Sequence, residues 1–484
     1  MLLDFRPIVF VTGVLLSMIA IAMLVPTMVD LYVGNQDWQV FLLSSGFTMF
    51  TAGLMILTTR QESKNLNIRQ AFVMTTMVWI ILPAFSALPF LAANALNLSY
   101  TDAFFEAMSG LTTTGSTVVS GLESAPPGIL MWRSILQWMG GVGIVVMAIS
   151  ILPMLQIGGM QLFRMEFSDR IEKALPRAAQ IGTWIFGIYI GLSGICAYLF
   201  WLAGMSTFDA INHAMTTVAT GGFSTHDASF GYFDSAQIEA ITTIFMILGS
   251  LPFLLYLQLL RKDWKPFFED TQVRWFFGIL GTAVGLMTGY LMVQQGYTFF
   301  ESLRHTSFNV VSIMTGTGFA STDYSLWGAF AMPLFFLIMF IGGCAGSTTC
   351  GIKIFRFQVL FETARTQMRS LLQPNGVFIS YYNGKPISEQ VSTSVMAFFF
   401  MFAAIFALLA MALGLLGMDF VTATSAAGTA LANVGPGLGE MIGPSGNFSQ
   451  LPDAAKWLLS LGMLLGRLEI FTVLIMFTSH FWKD

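Results

Sequence analysis

The sequence predicts an all-α polytopic membrane protein with ten transmembrane helices. Four helix–pore-loop–helix repeats surround one central pore, and two further helices precede them. Three observations lead there. Of 484 residues, 55% are hydrophobic and only 10% charged, where a soluble domain carries about 25%. Ten stretches are long and apolar enough to cross a bilayer. A glycine-bearing segment recurs about every hundred residues. The composition excludes disorder, coiled coil and a disulfide scaffold. A net charge of −4 offers no basic field for nucleic acid. Cys196, Cys344 and Cys350 lie in apolar or glycine-rich stretches, and no disulfide is expected.

Crossing about 30 Å of hydrocarbon takes about 20 mostly apolar residues. The stretches that meet this are 8–32, 39–59, 70–95, 128–156, 178–204, 236–260, 273–294, 329–363, 390–416 and 454–482. The first has too long an apolar run, and no small-residue cleavage site after it, to read as a removed signal peptide. With the N-terminus in the cytoplasm, the inside connections hold 18 of the 22 basic residues. These include Arg60, Lys64, Arg69, Arg164, Arg170, Lys173, Arg177, Arg261, Lys262, Lys353, Arg356 and Lys483. Only Arg133, Arg304, Lys456 and Arg467 fall elsewhere. The positive-inside rule therefore places both termini in the cytoplasm.

Four outside connections carry a semi-apolar run too short to span: 100–118, 207–225, 305–322 and 420–439. Such lengths predict re-entrant half-helices. Aligning them superimposes Thr114-Gly115, Gly221-Gly222, Thr317-Gly318 and Val434-Gly435, and Asp102-Ala103 over Asp209-Ala210. The chain then divides into 1–69 (two extra helices), 70–173, 174–268, 269–385 and 386–484, one repeat in each of the last four.

Irregular backbone cannot face lipid, because each unsatisfied N–H or C=O costs several kcal/mol there. Four such loops must line something polar. A half-helix entering from outside ends near mid-membrane with its C-terminus inward, carrying about half a negative charge. Glycine can adopt backbone angles that turn its carbonyl toward an axis. A ring of carbonyls can replace the water around a dehydrated cation. The glycines have no acidic neighbour, which favours a monovalent ion over a divalent one. The candidate ion-binding residues are Thr113, Thr114, Gly115, Thr220, Gly221, Gly222, Gly316, Thr317, Gly318, Asn433, Val434 and Gly435. Helix packing through small residues is the competing explanation, and four equally spaced copies weigh against it. A secondary transporter of another small cation, such as sodium or ammonium, is the alternative function; many such carriers show inverted repeats, whereas these loops all enter from one side.

At these residues the chain resembles the Trk/Ktr/HKT potassium transporter superfamily. The resemblance covers nearly the whole chain. It rests on LTTTGS, VATGGFS, MTGTGF and NVGPG, on GGCAGSTTCGIK at 342–353, and on GRLEIFTV at 466–473. The two extra N-terminal helices match the TrkH branch. The resemblance implies potassium uptake across the bacterial inner membrane, with Gly115, Gly222, Gly318 and Gly435 as filter glycines. It also implies a homodimer bound at its cytoplasmic face to a TrkA-like nucleotide-binding regulatory subunit. One departure is Gly221, where two other repeats have Thr.

Four glycines in ten residues, Gly342, Gly343, Gly346 and Gly351, oppose a continuous eighth helix. With Ser347, Thr348 and Thr349 they form either a kinked packing surface or a loop that gates the path; the resemblance implies a gating loop. Arg467 is expected near the centre of the last span, with Glu469 two residues on. It ties helices together or projects into the ion path, and the resemblance implies the latter. Arg304 and His305 are expected to cap or precede the third half-helix, Arg133 to snorkel to the outer interface, and His213 and Asn309 to brace their half-helices. GGVG (140–143) and GPGLG (435–439) lack the strand–turn–helix setting of a nucleotide loop. No catalytic constellation, ATP site or cofactor is expected; potassium is the cargo.

Overall fold

A computed structural model describes residues 4–59, 67–93, 95–150 and 178–482. Arg60, Lys64, Arg164, Arg170, Lys173, Arg177 and Lys483 of the charge count lie outside it, as does the expected boundary at 173. The described chain is helical, apart from one two-stranded hairpin pairing Tyr381–Tyr382 with Lys385–Pro386. Seven described helices are long and apolar enough to cross a membrane, or up to nine if each bent pair counts as one span.

Three expected spans are broken, each for a local reason. The span at 236–260 bends by 95° between Ala236–Ser250 and Phe253–Leu260. Pro252 at the bend has no N–H to continue the ladder. The carbonyls freed there are not left bare: Ser250 accepts from Cys344 N–H at 3.0 Å and Gly249 from Thr348 N–H at 3.1 Å. The stretch 329–363 is helical over Ala331–Ile338 and again over Ile354–Leu372. Between them the chain folds back on itself, with Gly342 N–H bonded to Ile352 O at 3.0 Å and Ile352 N–H to Phe340 O at 2.9 Å. The last span ends its helix at Arg467 and turns by 105° into Phe471–Phe477. Glu469 and Ile470 take φ of +61° and +40° at the turn, which is costly for a β-branched residue. Arg467 thus stands at a helix C-terminus, not within a continuous span.

The four short helices are Tyr100–Leu111, Thr207–Val218, Phe299–Met314 and Phe420–Ala432. Each starts on a capping side chain. Ser99, Ser206 and Thr298 accept from the N–H of Asp102, Asp209 and Glu301, and Asp419 from Val421 and Thr422. Hydroxyl hydrogen bonds from Thr298 and Thr422 lower the pKa of Glu301 and Asp419. The third helix starts at Phe299, so Arg304 and His305 lie inside it and Thr298 is the cap. Arg304 instead pairs with Glu239 at 2.7 Å and Asp234 at 3.0 Å.

Candidate ion pathway

Each half-helix ends in the same turn. Thr113, Thr220, Gly316 and Asn433 take φ of +52°, +49°, +73° and +52°. The next residue donates back to the carbonyl five earlier: Thr114 to Ser109, Gly221 to Thr216, Thr317 to Ser312 and Val434 to Thr429, at 2.8 to 3.1 Å. This left-handed C-cap satisfies helix-end carbonyls while turning the chain out of the helix. Three of the four left-handed residues are not glycine, and two are threonines, for which that conformation is strained. Gly115, Gly222, Gly318 and Gly435 follow at φ of +89°, +86°, +83° and +98°.

The four glycines stand in cyclic order. A Cβ on Gly115 would meet the carbonyl oxygen of Gly221; on Gly222, that of Thr317; on Gly318, that of Val434; on Gly435, that of Thr114. Each oxygen lies within 3.0 Å of the would-be carbon. The ring closes from the fourth segment to the first, and two side chains lock the closure. Asn433 donates to Thr114 Oγ1 at 2.9 Å, and Ser116 donates to Gly435 O at 2.8 Å. All twelve residues proposed from the sequence therefore lie on this ring or one residue below it.

Beyond the glycines, in the direction of the chain, a vestibule of about 200 Å³ opens among Ser116, Ser224, Ala320 and Pro436. On the helix side the room shrinks to about 30 Å³, lined by Gly346, Ser347, Thr349, Cys350, Asn433 and Arg467. Six residues of the 342–351 segment line this side. Cys344, Ala345, Ser347, Thr348, Thr349 and Cys350 are all buried. Thr348 Oγ1 donates to Val218 O at 3.1 Å and to Gly249 O at 2.9 Å. Cys350 Sγ lies 3.4 Å from Thr113 Oγ1. Gly342 and Gly343 could carry no Cβ without striking Cys350 O and Ser250 O. Arg467, 4% exposed, donates to the Cys350 thiol, to Thr348 O at 3.5 Å and to Gly140 O at 3.3 Å.

Two charged residues sit elsewhere than expected. Arg133 is 1% exposed and does not snorkel. It pairs with Glu106 at 2.7 Å and donates to Ser224 O at 2.7 Å and Thr117 Oγ1 at 3.1 Å, behind the first two ring segments. Glu469 pairs with Arg356, not Arg467. An acid in an apolar half-helix and an Arg in the next span were the legible signal for the first pair. Nothing local marks Cys350 as the partner of Arg467. His213 bonds Ser224 Oγ at 3.0 Å and Asn309 bonds Ser321 Oγ at 3.0 Å, so both brace the turn after their helix. All three cysteines are free.

Comparison with known proteins gives a consistent result. A profile of the TrkH family, described as a cation transport protein, matches residues 38–483. The chain is 46% identical to the Trk system potassium uptake protein TrkI of Halomonas elongata, covering 99% of this chain and 97% of that one. It is 37% identical to the Trk system potassium uptake protein TrkH of Escherichia coli, over 100% of both. The crystal structure of the potassium transporter TrkH from Vibrio parahaemolyticus superposes with a TM-score of 0.92 at 36% identity, covering 99% of this chain and 100% of that one.

Proposed function

This chain belongs to the TrkH family of cation transport proteins, and on that premise we propose that it carries potassium through the ring of Gly115, Gly222, Gly318 and Gly435. The observation that supports this most is the cyclic order of the four carbonyls, each facing the glycine of the segment before it in the ring. Four backbone oxygens without a formal charge suit a monovalent ion that must enter and leave. Four half-helix C-termini aimed at the same place add partial negative charge without trapping the ion. The 342–351 loop and Arg467 form the gate. The loop fills the path beneath the ring, and the guanidinium adds a positive charge where a cation would pass.

The relatives are named as parts of a Trk system. The chain works as a homodimer in the bacterial inner membrane, with both termini cytoplasmic and a TrkA-like nucleotide-binding subunit acting on the gate. Each of the four sections beginning at residues 70, 174, 269 and 386 contributes one ring segment. Reconstitution tests the function. Purified protein in liposomes should take up radioactive rubidium down a potassium gradient. External potassium should compete, and sodium and lithium should not. Equal competition by potassium, sodium and lithium would refute the reading.

A further inference from the structure

Repeats one and three fill the space beside the ring in the same way. Thr114 Oγ1 meets Thr112 Oγ1 at 2.7 Å, and Thr317 Oγ1 meets Thr315 Oγ1 at 2.7 Å. The second repeat has Ala219 and Gly221 at those places and no hydroxyl at either. Its space is not empty. The position of a Cβ on Gly221 lies within 3.0 Å of Cδ, Oε1 and Nε2 of Gln137. Gln137 belongs to the helix Pro127–Ser150 and is fully buried. Its Nε2 donates to Gly221 O, and its Oε1 accepts from Phe223 N–H at 2.9 Å. A carbonyl needs a donor and an N–H needs an acceptor, so this pair of partners permits only one orientation of the amide. Arg133, one turn earlier on the same helix, holds Ser224 O at 2.7 Å.

We propose that Gln137 is a positioning residue for the ion-selective ring. Its amide supplies, from the neighbouring helix, the volume and polar anchor that Thr114 and Thr317 supply in their own segments, and residue 221 is glycine to admit it. The proposal rests on the reading of this ring as the selectivity filter. Gly221 O is one of the four oxygens in the cyclic arrangement, so the Gln137 N–H both fixes its position and draws on its electron density. Residues 137 and 221 compete for one volume. Gly221 does not have positive φ, so its backbone accepts a side chain once that volume is free.

The test is potassium and sodium flux in liposomes for the parent, Gln137→Met, Gly221→Thr and the double variant G221T/Q137A. Gln137→Met keeps the volume and loses both hydrogen bonds. Its preference for potassium over sodium should fall about two- to tenfold, the weight of one hydrogen bond. Gly221→Thr alone should lose flux or fold poorly, and the double variant should recover both. A Gln137→Met protein as selective as a selective parent would overturn the proposal, as would a double variant no better than Gly221→Thr. If Gln137→Met does not fold, recovery in the double variant decides. A parent without preference for potassium would instead overturn the filter reading itself.

Discussion

Glu469 is bonded to Arg356, 113 residues away in sequence, and not to Arg467 two residues before it. The pair joins the helix that follows the 342–351 loop to the break in the last span. It also leaves Arg467, among the described residues, with a thiol and two backbone carbonyls as hydrogen-bond partners, none of them formally charged. A guanidinium without a carboxylate keeps its field. A unit charge 6 Å from a potassium ion, at an effective dielectric near 20, opposes it by roughly 3 kcal/mol, about a hundredfold in occupancy.

Arg467→Ala should therefore raise potassium flux, while Arg467→Lys keeps it low. Flux and thermal midpoint measured on the same purified protein separate gating from bracing. A lower midpoint with no gain in flux would show that Arg467 only ties helices together.

Glu469→Gln should act differently. It leaves Arg356, 1% exposed, without its carboxylate, and breaking such a pair costs about 3–5 kcal/mol. Its thermal midpoint should fall further than that of Arg467→Ala. Equal midpoints for the two variants would mean that the Arg356 pair is not structural.

Gly318→Ala should abolish uptake. Its φ is +83°, and the added carbon would strike Val434 O and Pro436. Gly115→Ser should keep some flux and admit relatively more sodium, because the serine Cβ displaces the neighbouring Gly221 carbonyl. Rubidium and sodium uptake by each variant measures both outcomes; wild-type selectivity in the two together would contradict the carbonyl ring.

Shortening the loop within 344–349 should raise flux in liposomes that contain no cytoplasmic partner. The loop's anchors, Thr348 on Val218 O and Cys344 on Ser250 O, are lost in such a variant. A shortened protein that folds and conducts like its parent would assign the glycines to packing.

The spans, the half-helices and the ring glycines were legible because each is a local pattern: an apolar run of fixed length, or a small residue after a short apolar helix. The Ser99-x-x-Asp102 and Thr298-x-x-Glu301 caps were equally local and would have placed the third half-helix start at Phe299. The breaks at Pro252 and Arg467 were harder. A proline or charge in an apolar run says that a ladder is disturbed, but the carbonyls it frees can find partners about a whole repeat away, as Ser250 does with Cys344. Arg133 shows the same limit. Its depth was set by Glu106 and Ser224, and hydropathy alone favoured the interface.

The most direct measurement of the central claim is the reversal potential of the reconstituted protein with potassium on one side and sodium on the other. The parent should give a potential close to that of a potassium-selective membrane, and Gly115→Ser should move it toward zero. A parent potential near zero, or a Gly115→Ser potential unchanged from a selective parent, would contradict a filter built from these four carbonyls.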